Sequence, residues 1–129
     1  MKQTSSELDA RSVMQASRRA SRFDPQDTIL ARRSGQELID RLALLEIVPE
    51  NILDLGCGTG IEAAMLSYRY PKAHVIGLDV CPVCFQQETS TPWAPVVGDA
   101  AALPLRTGTI DLIFANLVVP WCDPGLLFH

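Results

Sequence analysis

The spacing of apolar positions changes character once along the chain, near Pro49. In residues 9–22, "DARSVMQASRRASR", Val13, Met14, Ser17 and Ala20 recur at helical spacing, opposite much of the arginine. This predicts a weakly amphipathic helix that ends near Pro25. A second helix is predicted over about 27–46, where Leu38, Leu42 and Leu45 fall at i, i+4 and i+7 with Ile39 beside them. Such a stripe has to pack against something.

Beyond Pro49 short apolar runs alternate with helical ones. "NILDL" reads as a buried parallel strand, and "IEAAMLSYRY" as a helix stopped by Pro71. "AHVIGLDV" is a second strand, "PVCFQQE" a brief helix with Pro82 in its first turn, "APVVGD" a third strand and "TIDLIFANLVV" a fourth. Strands alternating with helices imply parallel pairing through right-handed crossovers, a doubly wound α/β architecture. N-terminal helices in 1–35 precede this domain, which occupies 36–129.

The composition, 47% hydrophobic and 20% charged over 129 residues, is that of one globular domain. No apolar run reaches the roughly 18–20 residues that span a bilayer. The start, "MKQTSSELDARSV", lacks the apolar stretch of a secretory signal, so a cytoplasmic protein without membrane contact is expected. Four cysteines fit that compartment when reduced. Cys81 and Cys84 have the C-x-x-C spacing of redox and zinc sites, but tetrahedral zinc needs about four ligands and no second close Cys or His pair exists. They read as small packing residues, and no metal is expected.

The net charge of −4 is unevenly spread. Between positions 11 and 33 six arginines (Arg11, Arg18, Arg19, Arg22, Arg32 and Arg33) face only Asp24 and Asp27. No groove-reading or aromatic element accompanies them, so nucleic acid is not the expected partner. A solvated helix face and a dock for an acidic partner both remain open.

The densest chemistry lies in "DLGCGTG". A strand, a glycine turn and a helix place bare amides and a helix start at the carboxyl edge of the sheet, where ligands bind. Gly56 permits the turn, Gly58 lets a ligand approach the backbone, and Gly60 lets the helix pack closely on the strand. The helix dipole favours a negative group on the ligand. Dinucleotide sites read G-x-G-x-x-G, whereas this loop is G-x-G-x-G and follows Asp54. That acid would repel a pyrophosphate and suit an ammonium. Asp79 closes the second strand, where an acid accepts hydrogen bonds from ribose hydroxyls. Asp99 ends the third, so three acids are expected to face one crevice. A nucleoside with an amino-acid tail and a positive centre fits this pattern better than NAD.

"ILDLGCGTG", "VIGLDV", "GDAAALPL" and "TIDLIFANLVVPWCD", in that order, resemble the first four motifs of class I S-adenosylmethionine-dependent methyltransferases. The resemblance covers roughly 36–129 and implies a Rossmann-like fold. It also implies that Gly56, Cys57, Gly58 and Gly60 hold the methionine part of S-adenosylmethionine, with Asp54 near its amino group. Asp79, followed by Val80, would bind the ribose. Asp99 and Ala100 would border the adenine, and Asn116 and Leu117 would lie beside the sulfonium.

A narrower resemblance covers "FDPQDTILARRSGQELIDRLALLEIVPENILDLGCGTG", "YRYPKAHVIGLDV" and "NLVVPWCDP". These look like the biotin-pathway methyltransferases that esterify malonyl-acyl carrier protein. The resemblance implies a carboxylate nucleophile and an acidic carrier protein to meet the arginines of 11–33. No general base is then required, because carboxyl groups titrate near 4. His74 and His129 make unconvincing catalysts, and Trp121 is either a wall of the substrate crevice or core. The alternatives are a truncated cofactor-binding module without turnover and a small-molecule methyltransferase of another specificity. The family has about seven strands and this sequence supplies about four. A fragment, or self-association through a long apolar fourth-strand edge, is therefore expected.

Overall fold

Short runs rich in Val, Ile and Leu form strands because both of their faces find apolar cover. The computed structural model describes residues 25–80 and 92–116. Within them Asn51–Leu55 (β1), His74–Asp79 (β2), Ala94–Val97 (β3) and Leu112–Ala115 (β4) pair in parallel, in the order β3-β2-β1-β4. Two helices accompany them, Pro25–Leu42 (α1) and Ile61–Arg69 (α2). The expected parallel α/β sheet is present.

Alternation along β1 splits the core into two layers. Ile52 points to the helical face, where it packs with Ile39 of α1, Leu66 of α2 and Phe114 of β4. Leu53 and Leu55 point to the opposite face with Leu78, under Ala100, Leu105 and Ile110. Ile52, Leu53, Leu66 and Leu78 are fully buried, and truncating one such side chain to alanine removes about 2–5 kcal/mol. Asp111 secures the other end of the sheet. Its Oδ2 accepts the amides of Glu50 and Asn51 at 3.0 and 2.9 Å, which fixes the start of β4 beside β1. Pro95 sits in β3 opposite Gly77; a residue without an N–H is tolerated there because β3 is an edge.

The second helix differs from its expected bounds and stripe in three respects. It begins at Pro25, slightly before the expected start near 27, as the fixed φ of proline allows at a first position. The helix stops at Leu42, where Ala43, Leu44 and Leu45 turn through i to i−3 bonds of 3.2, 3.0 and 3.1 Å. The inward stripe is Gly35, Ile39 and the partly buried Leu42, while Leu38 and Leu45 are exposed. Position 35 faces the side chains of Glu62 and Asn116 so closely that a Cβ there would press on both, which favours glycine on this face of the helix. α1 also runs through positions 35 and 36, where the sequence suggests a domain boundary.

β4 does lie at the sheet edge, and the described strand there is four residues long with Ile113 57% exposed. The predicted helices at 9–22 and 82–88, the Cys81 and Cys84 pair, Leu117 and Trp121 lie outside the described residues. No described helix is long and apolar enough to cross a membrane. No three His, Cys, Asp or Glu side chains among the described residues are placed to hold a metal.

Candidate functional site

The strand order reverses direction between β1 and β4, since β2 and β3 follow on one side of β1 and β4 returns on the other. Such a switch point opens a crevice at the carboxyl ends of the strands. The glycine loop leaves β1 there, and Asn116 follows β4 beside it. A surface hollow of about 340 Å³ lined by Ile47, Val48, Pro49, Glu50 and Asp111 lies at the opposite, amino edge. It holds none of the predicted site residues.

The loop runs through positive φ at Gly56, Gly58 and Gly60 (69°, 54° and 86°), a region that side chains other than glycine rarely enter. Its amides are less bare than expected. Gly56 and Cys57 both donate to the Leu78 carbonyl, at 2.7 and 3.0 Å, and Gly60 donates to the Cys57 carbonyl at 2.9 Å. The Gly58 amide donates to Asp79 Oδ2 at 2.9 Å. These bonds lock the loop onto the end of β2 and hold the Asp79 carboxylate at its mouth. Gly60 also has a different role from close packing of helix on strand. A Cβ there would collide with the indole of Trp93, which also presses on Gly77. Trp93 is 8% exposed and was not legible as part of the site's foundation.

Asp54 is the most unusual group. It is 2% exposed, its Oδ2 has no hydrogen-bond partner among the described residues, and its pKa is pushed up from 3.8 to about 8. Burial is the main cause, Glu62 adds repulsion, the Ala63 amide opposes the shift and Asp79 contributes a little. The helix start of α2 therefore already has an acid beside it. Gly60 supplies no capping side chain, and Asp54 accepts from Ala63 instead. The acceptor that meets this helix start is in part the chain's own.

Asn116 joins three elements. Its Nδ2 donates to the Ala31 carbonyl at 3.0 Å and to Glu62 Oε1 at 3.4 Å, while its Oδ1 accepts from Ser34 Oγ at 3.0 Å. α1 thus lies across the switch point. Neither Ser34 nor Glu62 was singled out from the sequence. Glu62 carries one signal, an acid in the first turn of a helix; Ser34 carries none.

Asp99 is placed differently from the expectation of three acids around one crevice. The Gly98 amide donates to the Asp79 carbonyl at 3.0 Å, so the two strand ends adjoin. Yet Asp99 is exposed, and its Oδ1 accepts from the Ala101 amide at 2.9 Å within a tight turn. The charges acting on Asp54 are those of Glu62 and Asp79. Val80 is partly buried after β2, and Ala100 packs against the leucine layer of the core. The structure unites Asp54, Asp79, Asn116 and the glycine loop, and leaves Asp99 on the rim.

An unfilled buried acceptor, a second acid at the loop mouth and a backbone turn without side chains can receive a small ligand with a cationic end and hydroxyl donors. Comparison with known proteins points the same way. Residues 53–128 match a family described as a methyltransferase domain. The malonyl-[acyl-carrier protein] O-methyltransferase of Legionella pneumophila is 38% identical over 101 residues, covering 74% of this chain and 36% of that protein. The protein of the same name from Gallionella capsiferriformans is 32% identical over 127 residues, covering 90% and 44%. The chain spans less than half the length of these curated relatives. The plantazolicin methyltransferase BpumL, solved in complex with SAH, superposes with a TM-score of 0.60 at 22% identity over 85% of this chain and 48% of that one, a likeness of fold.

Proposed function

The chain belongs to the methyltransferase-domain family, and we propose that it holds S-adenosylmethionine at the carboxyl edge of its sheet for transfer of the methyl group to a carboxylate borne by an acyl carrier protein. The observation that carries this reading is the pair of buried acids, Asp54 and Asp79, flanking the glycine loop at the switch point. Asp54 offers an acceptor without a partner among the described residues, which suits the donor's ammonium. Asp79, fixed by the Gly58 amide, faces the place of the ribose hydroxyls. Asp99 and Ala100 would border the adenine, and Asn116, followed by Leu117, the sulfonium.

When bound, the cofactor supplies an electrophilic methyl on positive sulfur, open to in-line attack by a carboxylate oxygen with the carbon–sulfur electron pair withdrawing onto sulfur. What the chain contributes is position and exclusion of water. No proton has to move, because the attacking carboxylate is ionised at neutral pH. Among the described residues the one histidine, His74, begins β2 at the far edge of the sheet, which is compatible with that. The carboxylate acceptor is supported by the names of the relatives, and a carrier-protein partner by the arginines of 11–33, of which Arg32 and Arg33 are exposed on α1. Among the described residues β4 ends the sheet, which supports a further β-segment pairing there, from a longer chain or a second copy.

Calorimetry with S-adenosylmethionine and NADH tests the cofactor. Binding of the first alone is expected, with Asp79→Ala weakening it at least about tenfold, the effect of losing charge-assisted hydrogen bonds. Unchanged binding by that variant removes the ribose assignment. Methyl transfer to malonyl-carrier protein tests the acceptor, and binding without transfer supports a cofactor-holding module instead.

A further inference from the structure

We infer that Ser34 is a positioning residue for the amino-acid end of the methyl donor, acting from α1 through Asn116 and Glu62. The inference rests on the donor assignment above and extends the site to a helix outside the glycine-loop motif. Its basis is the completeness of the bonds around Asn116. An amide side chain has two hydrogens to give and one oxygen to receive with. Here Ala31 and Glu62 take the hydrogens, and Ser34 supplies the oxygen's partner, at 3.0 Å. Flipping the amide would set its oxygen against the Ala31 carbonyl and the Glu62 carboxylate, so those two acceptors fix which side of Asn116 faces Glu62, and the serine hydroxyl completes the set by satisfying the oxygen. That hydroxyl also lies 3.1 Å from the Ala31 carbonyl, within one turn of its own helix, so its rotation is confined to this strip.

Gly35 brings the strip close. A Cβ at that position would stand 2.6 Å from Glu62 Oε1 and 3.2 Å from Asn116 Nδ2, so the helix backbone itself walls the Glu62 carboxylate. Held there, Glu62 acts on Asp54, whose Oδ2 is buried and has no partner among the described residues. Two acids confined near an unfilled acceptor favour a cation, and an ammonium both neutralises and hydrogen-bonds them. Without Ser34 the part-buried Asn116 oxygen loses its donor, and the side chain that guides Glu62 toward that spot is held less firmly.

The test separates the two ends of the ligand. S-adenosylhomocysteine carries the amino-acid tail; 5′-methylthioadenosine is the same nucleoside thioether without it. Ser34→Ala is expected to weaken the first by about three- to tenfold, the effect of one buried hydrogen bond, and to leave the second unchanged, with Ser34→Thr restoring wild-type affinity. Glu62→Gln, which keeps the shape beside Asn116, should show the same ligand-selective loss and serves if the alanine variant fails to fold. Equal losses for both ligands, or none for either, overturn the inference. If the wild-type chain binds neither ligand, the donor assignment itself falls.

Discussion

Asp54 and Asp99 stand near the carboxyl ends of strands two places apart in one sheet, and their surroundings are opposite. β1 is central, flanked by β2 and β4 and covered on both faces, so Asp54 is cut off from water and its charge is suppressed. β3 is an edge, and Asp99 beyond it is exposed in a turn that satisfies it with a backbone amide. The same residue type near the end of the same kind of strand is therefore a buried acceptor with suppressed charge in one place and an ordinary turn residue in the other. Position in the sheet, more than identity, decides which acid has chemistry left to offer.

The largest effect should come from the loop that frames the central acid. Gly60→Ala demands both a positive φ of 86° and space occupied by the Trp93 indole, and is expected to cost about 3 kcal/mol or more in urea unfolding. Gly58→Ala meets a φ of 54° with no atom within 4 Å of the new Cβ, so only the backbone penalty of about 1–2 kcal/mol applies. Equal losses would mean that Trp93 is not seated against Gly60, and the central site would lose its rigid floor.

Next comes the pH dependence of stability. The unfolded chain ionises Asp54 near 3.8, whereas the folded chain retains the proton up to about 8. Stability associated with this group is thus fully present below pH 4 and lost as pH rises through 8. Asp54→Asn should remove that loss. The variant is expected to match the wild type near pH 4 in thermal unfolding and to exceed it at pH 8–9. Parallel curves would show that burial does not hold the proton on Asp54, and would erase its contrast with Asp99.

The sequence made these central features legible to different degrees. "NILDL" and "HVIGLD" read correctly as parallel strands because apolar runs between turn residues leave few alternatives, and the glycine spacing located the loop. The rotation of α1 was not legible. Leu38, Leu42 and Leu45 form as good a stripe as Gly35, Ile39 and Leu42 until Glu62 and Asn116 occupy the space beside position 35. For the same reason Ser34 gave no signal, since its partner is 82 residues away. The amides of the loop looked bare because nothing local reveals that the Leu78 carbonyl accepts two of them. The exposure of Asp99 was not legible, because strand order, which sets edge against centre, is absent from the spacing along the chain.

The smallest effect is the sharpest test of that last point. If Asp99 belonged to the same pocket as Asp54, neutralising it would relieve repulsion and lower the Asp54 pKa. Glu62 raises that pKa second only to burial, and Asp79 adds less. Asp99 is exposed, and water and salt screen an exposed charge over about 8–10 Å. An NMR titration of the Asp54 carboxyl should therefore move to lower pH in Glu62→Gln and remain in place in Asp99→Asn. A shift in the second variant as large as in the first would put all three acids in one crevice after all. It would make the edge strand part of the charged site, and the distinction between centre and rim would no longer explain how the sheet divides its acids.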